Sequence, residues 1–286
     1  MGHLRAKMQS DMELKGFALS TQKEYLLRAK HFAAFYRRSP ADMGELEIRH
    51  FLVELVHEKK VSPATHHLYV AALKFLYKTT LKRPAEVMNI PWPKRPRILP
   101  DILSGDEVEQ LLRSIHSVKH RAILMTAYGA GLRVSEVCTI QFPDIDSKRM
   151  LLHIHHGKNS KDRYVKLSDR LLRFLRYYWN TVRPPGPYLF PGREPTRPIT
   201  PSGVRWGLRK AVAEAGLTKR ITPHSLRHGF ATHLLELGED IRTIQRLLGH
   251  ASIQTTARYT KVTGKHLGRT KSPLDLLGTQ QAKVLG

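Results

Sequence analysis

Residues 224–259 read HSLRHGFATHLLELGEDIRTIQRLLGHASIQTTARY and carry a run of reactive side chains. Arg227 lies three residues after His224, so the two side chains share one face if the segment is helical. His250 follows 23 residues later, and Tyr259 lies nine residues beyond it. No other tyrosine occurs in this segment or after it. If this part of the chain supplies a phenolic nucleophile, Tyr259 is therefore the candidate.

Gly249 predicts where the helix before His250 ends. Leu247-Leu248-Gly249 closes an apolar helical pattern, and glycine readily takes up the left-handed conformation that terminates many helices. His250 then lies just beyond the helix, where it can donate a hydrogen bond into a neighbouring site. A lone histidine at such a position is usually structural, so His250 gains its interest from the reactive groups around it. For His228 and His233 we favour packing or capping roles.

Arg133 stands at a second break in the helical pattern. Gly129-Ala130-Gly131 interrupts the helix predicted around residues 121–128 before the pattern resumes. A bend at this point can direct the Arg133 guanidinium into a cleft, where it could clamp the oxygens of one phosphate together with Arg227. The alternative for Arg133 is a helix-surface salt bridge with Glu136 at i, i+3.

Two alternating segments upstream of His224 predict a β-hairpin with a basic tip. Residues 150–156 and 163–167 alternate like two strands, and GKNSKD separates them at residues 157–162. Lys158 at this tip carries an ammonium group that could protonate a leaving oxygen as a general acid. Lys161 competes for that role, and lysines on hairpin tips are mostly solvated.

Three histidines beside the hairpin tip invite a metal interpretation. His153 and His155 would point from one face of the strand and His156 from the other. No cysteine or paired carboxylate completes a ligand set, so the sequence predicts no metal site. It also lacks a Gly-rich phosphate loop and the Ser/His/Asp order typical of other enzyme classes.

The composition predicts a polyanionic partner. Lysine and arginine number 48 against 24 acidic residues, which gives a formal net charge of +24. A field of this sign attracts nucleic acid phosphates, although a ribosomal-type or merely soluble basic protein is the alternative.

Cys138 is the single cysteine, which excludes an internal disulfide and indicates a small core residue in a reducing compartment. Without a membrane-length apolar segment or an export signal, we expect a soluble cytoplasmic, nucleoid-associated bacterial protein.

The N-terminal third predicts a helical domain over residues 1–90. Thr21-x-x-Glu24 predicts a capping box for one helix, and Ser62-Pro63 predicts an N-cap and first position for another. Residues 91–101 follow, with four prolines and exposed cations among the first ten, which predicts a stiff, extended, basic linker.

Ser104-x-x-Glu107 opens the first helix after this linker, so a second domain with a C-terminal tail is expected over residues 102–286. The fold class is therefore mainly α, with a small β-hairpin in the second domain. A stiff basic linker could follow a DNA backbone while the two domains close on the duplex from opposite sides. This predicts a two-domain DNA clamp, against the alternative of an ordinary solvated connector.

Five motifs, taken in order, resemble those of the tyrosine recombinase (phage integrase) family. They are Ala130-Gly131-Leu132-Arg133-Val134-Ser135-Glu136, Gly157-Lys158, His224-Ser225-Leu226-Arg227-His228, Leu247-Leu248-Gly249-His250 and Thr255-Thr256-Ala257-Arg258-Tyr259. The resemblance covers essentially the whole chain, and the helical N-terminal part is similar to the core-binding (SAM-like) domain of that family. The chain departs from the family pattern after Lys158, where a glycine is often found, and this leaves Lys158 and Lys161 both open as the general acid. A Xer-like or transposon-borne recombinase is the nearest type.

This resemblance implies the chemistry of cleavage. Tyr259 would attack a DNA phosphodiester to give a 3′-phosphotyrosine and a free 5′-hydroxyl. His224 would handle the tyrosine proton, and Lys158 would protonate the leaving 5′-oxygen. The covalent link retains the bond for a second 5′-hydroxyl to attack, so strands can be exchanged without ATP or metal, and the resemblance implies that no cofactor is required.

The resemblance also implies which groups hold the phosphate. Arg133 and Arg227 would stabilise the charge on the phosphoryl oxygens, and His250 would bond the phosphate. Glu136 would hold its neighbours in position.

The expected partner is double-stranded DNA, with folded single-stranded DNA left open. By resemblance we expect a tetramer on two DNA sites, in which the tail around residues 272–277 docks on the neighbouring protomer; a frayed terminus is the alternative. Two other functions compete: a catalytically silent DNA-binding regulator or architectural protein, and a relaxing topoisomerase. The target sequence and the choice among integration, excision and dimer resolution do not follow from these residues.

Overall fold

The computed structural model describes residues 2–94, 101–155, 162–250 and 252–257. The chain separates into two compact units, Met1–Ile98 and Leu99–Gly286. The domain boundaries and linker expected from the sequence remain a prediction, because residues 95–100 lie outside the described ranges. Within those ranges, none of the helices combines the length and the apolar character needed to cross a membrane.

The first unit is entirely helical in its described residues. Its helices are α1 (Gly2–Leu14), α2 (Leu19–Tyr36), α3 (Glu45–His57), α4 (Pro63–Phe75) and α5 (Ala85–Met88), with a 3-10 turn at Pro40–Asp42 and a π-helical segment at Leu76–Thr80. Aromatic side chains from α2, α3 and α4 form the core, where the Phe51 ring lies 5.2 Å from Phe32 and 5.6 Å from Tyr69, centroid to centroid. Both pairs meet edge to face, the arrangement that aromatic quadrupoles favour.

One of the two helix starts predicted in this unit is correct. The Ser62 hydroxyl accepts a hydrogen bond from the Thr65 amide at 3.2 Å, as an N-cap before Pro63 should. The capping box at Thr21 is wrong, because the N-cap residue of α2 is Ala18, three residues earlier. Packing against α4 sets this start: the Phe17 ring lies 5.2 Å from the Phe75 ring, centroid to centroid, and the Phe17 carbonyl accepts a 2.8 Å hydrogen bond from the Gln22 side chain.

The second unit combines helices with one small sheet. Its elements are α6 (Gly105–Arg113), α7 (Val118–Gly129), α8 (Val134–Thr139), a 3-10 turn at Phe142–Asp144, β1 (Ile145–Asp146), β2 (Leu151–Ile154), β3 (Arg163–Lys166), α9 (Asp169–Val182), α10 (Pro201–Glu214), α11 (Pro223–Glu236), α12 (Ile241–Leu248) and α13 (Ile253–Ala257). Helix α7 is buried without interruption from Ala122 to Ala127, so it forms the centre of this unit. The expected mainly α class with a small sheet is confirmed.

The predicted hairpin is confirmed, with one strand more than expected. Strands β2 and β3 pair antiparallel, Leu152 opposite Val165, and β1 adds a third strand on the other side of β2. Leu152 and Ile154 are buried in the core, so His153 and His155 lie together on the opposite face, as the alternation predicts. His156 lies outside the described residues, with the tip.

Two further local predictions hold in the second unit. Ser104 and Glu107 form the predicted capping box: the Glu107 carboxylate accepts from the Ser104 amide at 2.7 Å, and the Ser104 hydroxyl accepts from the Glu107 amide at 3.2 Å. Cys138 is a buried core residue on α8. Burial raises the pKa of its thiol to about 11.

Candidate active site

The break after α7 places Arg133. Gly131 adopts a left-handed conformation with φ +60°, and the Phe230 ring packs so closely that a Cβ at Gly131 would lie 2.3 Å from it. The chain turns here, and α8 begins at Val134 with Arg133 as its N-cap residue. The glycine break is therefore confirmed, and it puts Arg133 at the start of a helix whose first turn carries Glu136.

Glu136 is the centre of what we call the arginine cluster, formed by Glu136 with Arg133, Arg163 and Arg227. The Arg133 amide donates to Glu136 Oε2 at 2.8 Å, and its guanidinium donates to Oε1 at 2.6 Å. Arg163 forms a two-pronged contact, Nη1 to Oε1 at 2.9 Å and Nη2 to Oε2 at 2.8 Å. Arg227 Nη1 lies 3.7 Å from Oε2. The salt bridge of Arg133 with Glu136, weighed as an alternative to a site role, thus exists inside a larger buried network.

Glu136 stays ionised in this environment. Burial by itself raises the pKa of Glu136, but the hydrogen bonds and charge of Arg163, joined by those of Arg133, outweigh burial and lower the pKa to about 2. Three guanidinium charges against one carboxylate leave the arginine cluster with a formal charge of +2. The side chains of Glu136 and Arg227 are each 4% exposed, so this charge is held largely away from water.

The end of α12 supplies one further partner for each of the three arginines. The last carbonyls of a helix have no partner within it. The Leu247 carbonyl accepts from Arg163 Nε at 2.9 Å, the Leu248 carbonyl from Arg227 Nη2, and the Gly249 carbonyl from Arg133 Nη2 at 3.2 Å. Three arginines from three parts of the chain thus dock on three consecutive carbonyls, and the negative end of the helix dipole faces their charge.

His250 follows directly on this helix end. Gly249 has φ +60°, and the helix closes there as the sequence predicts. The His250 Nδ1 atom lies 2.9 Å from the hydroxyl of Thr256, a buried residue of α13, and the His250 carbonyl accepts from the Gln245 side chain at 3.0 Å. The ring is therefore tied to α13, whose last residue, Ala257, precedes Tyr259 by two positions.

His224 and Arg227 both belong to the start of α11, but their exposure differs. Thr222 caps this helix and exchanges hydrogen bonds with Ser225, so His224 lies in the first turn. Its side chain is exposed, whereas Arg227 is buried and also donates to the Gly131 carbonyl at 2.8 Å. The start of α11 thus carries one exposed and one buried functional side chain.

The packing role favoured for His233 is confirmed. Its Nδ1 atom lies 2.8 Å from the Tyr128 hydroxyl, and its Nε2 atom lies 2.9 Å from the Leu103 carbonyl. His228 is half-buried on the same helix, and its assignment to packing remains a prediction.

Arg163 is the member of the arginine cluster that sequence reasoning missed. The sequence pattern predicts only that Arg163 is a strand residue after the hairpin tip. The available signal is its register: Arg163 shares a strand face with Val165, which is buried in the core. An arginine on the inner face of a strand needs a buried acidic partner, and Glu136 is that partner.

Lys158, Lys161 and Tyr259 lie outside the described residues, and their roles remain predictions.

Potential metal ligands gather at one place in the described ranges, where Asp144, His153 and His155 bring ligand atoms within 4.8 Å of one another. The prediction that no carboxylate accompanies these histidines is therefore wrong. Asp144 comes to His155 from 11 residues earlier, because β1 folds back onto β2.

Comparison with known proteins identifies the family. The chain matches the model of the "Phage integrase family" over residues 101–266 and that of the "Phage integrase, N-terminal SAM-like domain" over residues 4–86. A Sinorhizobium fredii protein, provisionally named integrase/recombinase y4qK, is 46% identical over 280 residues, which are 97% of this chain and 90% of that protein. Tyrosine recombinase XerA of Pyrococcus horikoshii is 36% identical over 271 residues, 94% of this chain and 92% of XerA.

Solved structures agree in fold. A crystal structure of XerA recombinase, 30% identical, matches 95% of this chain and 99% of that one with a TM-score of 0.55. A lambda integrase tetramer bound to a Holliday junction, 18% identical, matches 90% of this chain and 76% of that one with a TM-score of 0.73. The motifs, the fold and the relatives lead to one conclusion. This chain belongs to the phage integrase family, the tyrosine recombinases, which cleave and rejoin DNA strands in site-specific recombination.

Proposed function

We propose that the arginine cluster binds the scissile phosphate of duplex DNA while Tyr259 cleaves the strand and forms a 3′-phosphotyrosine bond. The observation that carries this proposal is a cluster of formal charge +2, in which Glu136 and Arg227 are buried and Arg133 and Arg163 are partly buried. A buried excess of positive charge is unfavourable unless an anion enters, and a phosphodiester passing through a more negative transition state is such an anion.

Arg133 and Arg227 are the proposed phosphate ligands in this cluster. The described residues take two of the five N–H groups of the Arg133 guanidinium, at Glu136 and at the Gly249 carbonyl, which leaves donors for a substrate. Glu136 and the end of α12 fix both arginines before substrate arrives, so little reorganisation is needed during the reaction. His250, which follows Gly249 directly, is the third proposed ligand.

The proposed reaction balances without a metal or ATP. The Tyr259 hydroxyl oxygen forms a bond to phosphorus, its proton passes to His224, and the bond from phosphorus to the 5′-oxygen breaks. Lys158 gives a proton to that oxygen, with Lys161 as the alternative donor. Attack by the 5′-hydroxyl of another strand then reverses these steps and releases the tyrosine. The chemistry needs positioned charge above all, which the arginine cluster supplies.

The proposed assembly is a tetramer on two duplex DNA sites, in the bacterial cytoplasm at nucleoid DNA. The lambda integrase tetramer that shares this fold was solved on a Holliday junction, and this similarity supports the proposal. Integration or excision of a mobile element is the proposed role, and folded single-stranded DNA is retained as an alternative substrate. A fold relative, the Tn1549 transposon integrase, was solved with a circular intermediate DNA.

A covalent-trapping experiment tests the proposal. Wild type, Tyr259→Phe and Arg133→Ala are incubated in EDTA with a supercoiled plasmid carrying the DNA that flanks this gene, quenched with SDS and scored for protein attached to DNA. We expect an adduct with the wild type, mapped to Tyr259, none with Tyr259→Phe, and a loss of about 10²–10³-fold with Arg133→Ala. Arg149→Ala, which removes an exposed arginine of the same unit, serves as the control and should react like the wild type.

The same experiment tests the alternative of a catalytically silent regulator. Tight DNA binding by the wild type and by Tyr259→Phe, with no adduct on any flanking sequence, would favour a protein that kept the fold and lost catalysis. An adduct that persists in Tyr259→Phe would assign the nucleophile elsewhere.

A further inference from the structure

The outer face of β2 carries a second group of reactive side chains, separate from the arginine cluster. His153 and His155 lie on it, Asp144 comes from the 3-10 turn before β1, and Asp162 precedes β3. The Asp162 carboxylate oxygen Oδ2 lies 3.4 Å from His153 Nε2 and 3.4 Å from His155 Nδ1. Two imidazole nitrogens thus converge on one carboxylate oxygen.

The geometry around His155 selects its metal-binding nitrogen. Its Nε2 atom lies 2.7 Å from Asp144 Oδ1. A carboxylate can only accept a hydrogen bond, so in the neutral ring Nε2 carries the proton and Nδ1 keeps its lone pair. Asp144 is buried, and its other oxygen accepts from the Gln141 amide at 2.7 Å, so the carboxylate is held in place. Such a carboxylate behind a histidine is the usual support of a metal-ligating imidazole.

The orientation of His153 is fixed by stacking. Its ring lies parallel to that of Tyr164, its partner across the strands, with a 4.5 Å centroid distance and a 12° angle. The His155 ring also contacts His153, with a 3.9 Å distance between the ring centroids. Both histidines are therefore oriented in the absence of any ligand, which lowers the entropy lost when a ligand binds.

We propose that His153 Nε2, His155 Nδ1 and Asp162 Oδ2 bind a divalent transition ion, zinc in the first instance, with Asp144 orienting His155. Zinc lies about 2.0–2.2 Å from nitrogen and oxygen ligands, so neighbouring ligand atoms of a tetrahedral site are about 3.4 Å apart. The two separations from Asp162 Oδ2 match that spacing. Imidazole with carboxylate suits zinc, copper or nickel better than magnesium or calcium, which prefer oxygen.

A bound ion would join the two ends of the hairpin tip. His155 and Asp162 flank residues 156–161 in the sequence, and that segment includes Lys158 and Lys161. Zinc would therefore tie together the two strands that carry the proposed general acid. This effect on cleavage rests on the proposed function, whereas zinc binding itself does not.

Zinc titration of the full chain without DNA tests the site. Calorimetry or competition with a chromogenic chelator should give one zinc per chain with the wild type. His153→Gln and Asp162→Asn should each weaken binding at least about 10-fold, and Asp144→Asn should weaken it about 10–100-fold. His57→Gln, which removes an exposed histidine of the other unit, should bind like the wild type. Cobalt substitution should give the intense visible absorption of a tetrahedral site.

The outcomes are decisive in both directions. Equal zinc binding by the wild type, His153→Gln and Asp162→Asn, or no saturable binding, would overturn the proposal. His153 and Asp162 are both partly exposed, so these two variants should fold even if Asp144→Asn does not. Tyr259→Phe should bind zinc like the wild type, so a failure of the proposed cleavage chemistry leaves this test intact.

Discussion

Glu136 unites side chains that lie far apart in the sequence. Arg133 precedes it by three residues, Arg163 follows by 27, and Arg227 joins from α11. Each guanidinium also reaches a backbone carbonyl at the end of α12. Removing one partner of a buried ionic network leaves the others uncompensated, which is more damaging than the net value of the network suggests.

Replacement of Glu136 by Gln should therefore destabilise the second unit and change its response to acid. We expect a loss of about 3–5 kcal/mol at neutral pH, because the buried Arg227 and the partly buried Arg133 and Arg163 lose their carboxylate. The pKa of Glu136 is lowered to about 2 in the folded protein. The Glu136 carboxylate therefore stabilises the fold fully above the pKa that this group has in the unfolded chain. Its stabilising effect is lost as pH falls through the pKa of the folded protein. Between pH 5 and pH 2 the free energy of unfolding of the wild type should therefore fall by about 3 kcal/mol more than that of Glu136→Gln. Parallel pH profiles in urea unfolding would contradict this.

Arg163→Lys should show that the shape of the guanidinium matters as well as its charge. Lysine cannot make the two-pronged contact with Glu136 and also reach the Leu247 carbonyl. We expect a loss of about 1–3 kcal/mol in urea unfolding and a fall in adduct formation with DNA affinity unchanged. Arg170 also contacts both carboxylate oxygens of Glu109, but through the single nitrogen Nη2, and its side chain is 62% exposed. Arg170→Lys should therefore lose less than about 1 kcal/mol. Equal losses in the two variants would refute the role of burial.

At the scale of elements, the bend between α7 and α8 depends on a glycine pressed against α11. Gly131→Ala places a Cβ 2.3 Å from the Phe230 ring in a left-handed conformation. Gly216 is the matched control, since its φ is +64° and nothing lies within 4 Å of a Cβ there. We expect about 1 kcal/mol of destabilisation for Gly216→Ala and at least about 2 kcal/mol more for Gly131→Ala, measured by chemical denaturation. A similar loss in both would mean that Phe230 moves aside freely.

The helix starts of the first unit offer a second matched pair. Ser62→Ala removes the hydroxyl that accepts from the Thr65 amide and should destabilise α4 by about 1 kcal/mol. Thr21→Ala alters a residue inside the first turn of α2, where alanine has the higher helix propensity, so no loss is expected. Thermal unfolding of both variants checks the assignment, and a loss at Thr21 comparable to that at Ser62 would restore the sequence-based capping box.

Local sequence patterns therefore predict the helices and strands, but they do not predict the contacts between elements that form the site. Gly131 and Gly249 were predictable because a glycine that breaks a helix is recognised from its neighbours alone. The place of Arg163 was not, because its partner Glu136 lies on another element and no local pattern states which strand residue will face it. The same holds for Asp144, which reaches His155 only after β1 has paired with β2. Packing between elements decided these contacts, as it decided the start of α2.

At the scale of the whole molecule, a net charge of +24 should dominate DNA affinity. With Tyr259→Phe, which prevents cleavage, binding to a random duplex should weaken by about 10³–10⁵-fold between about 50 and 200 mM salt if six to ten phosphates are contacted. Fluorescence anisotropy over a salt series gives the number of phosphates from the slope. Affinity that hardly changes with salt would contradict an electrostatic interface.

Alkylation of the single thiol, Cys138, reports local unfolding of the second unit. Alkylating reagents attack the thiolate, and a pKa of about 11 in a buried pocket suppresses that species while the second unit is folded. Because the sequence has no other cysteine, every label that the chain acquires marks an excursion in which α8 has left the core. Labelling rates measured with and without bound DNA would therefore give the rate at which α8, the helix that carries Glu136, opens. No engineered probe is needed.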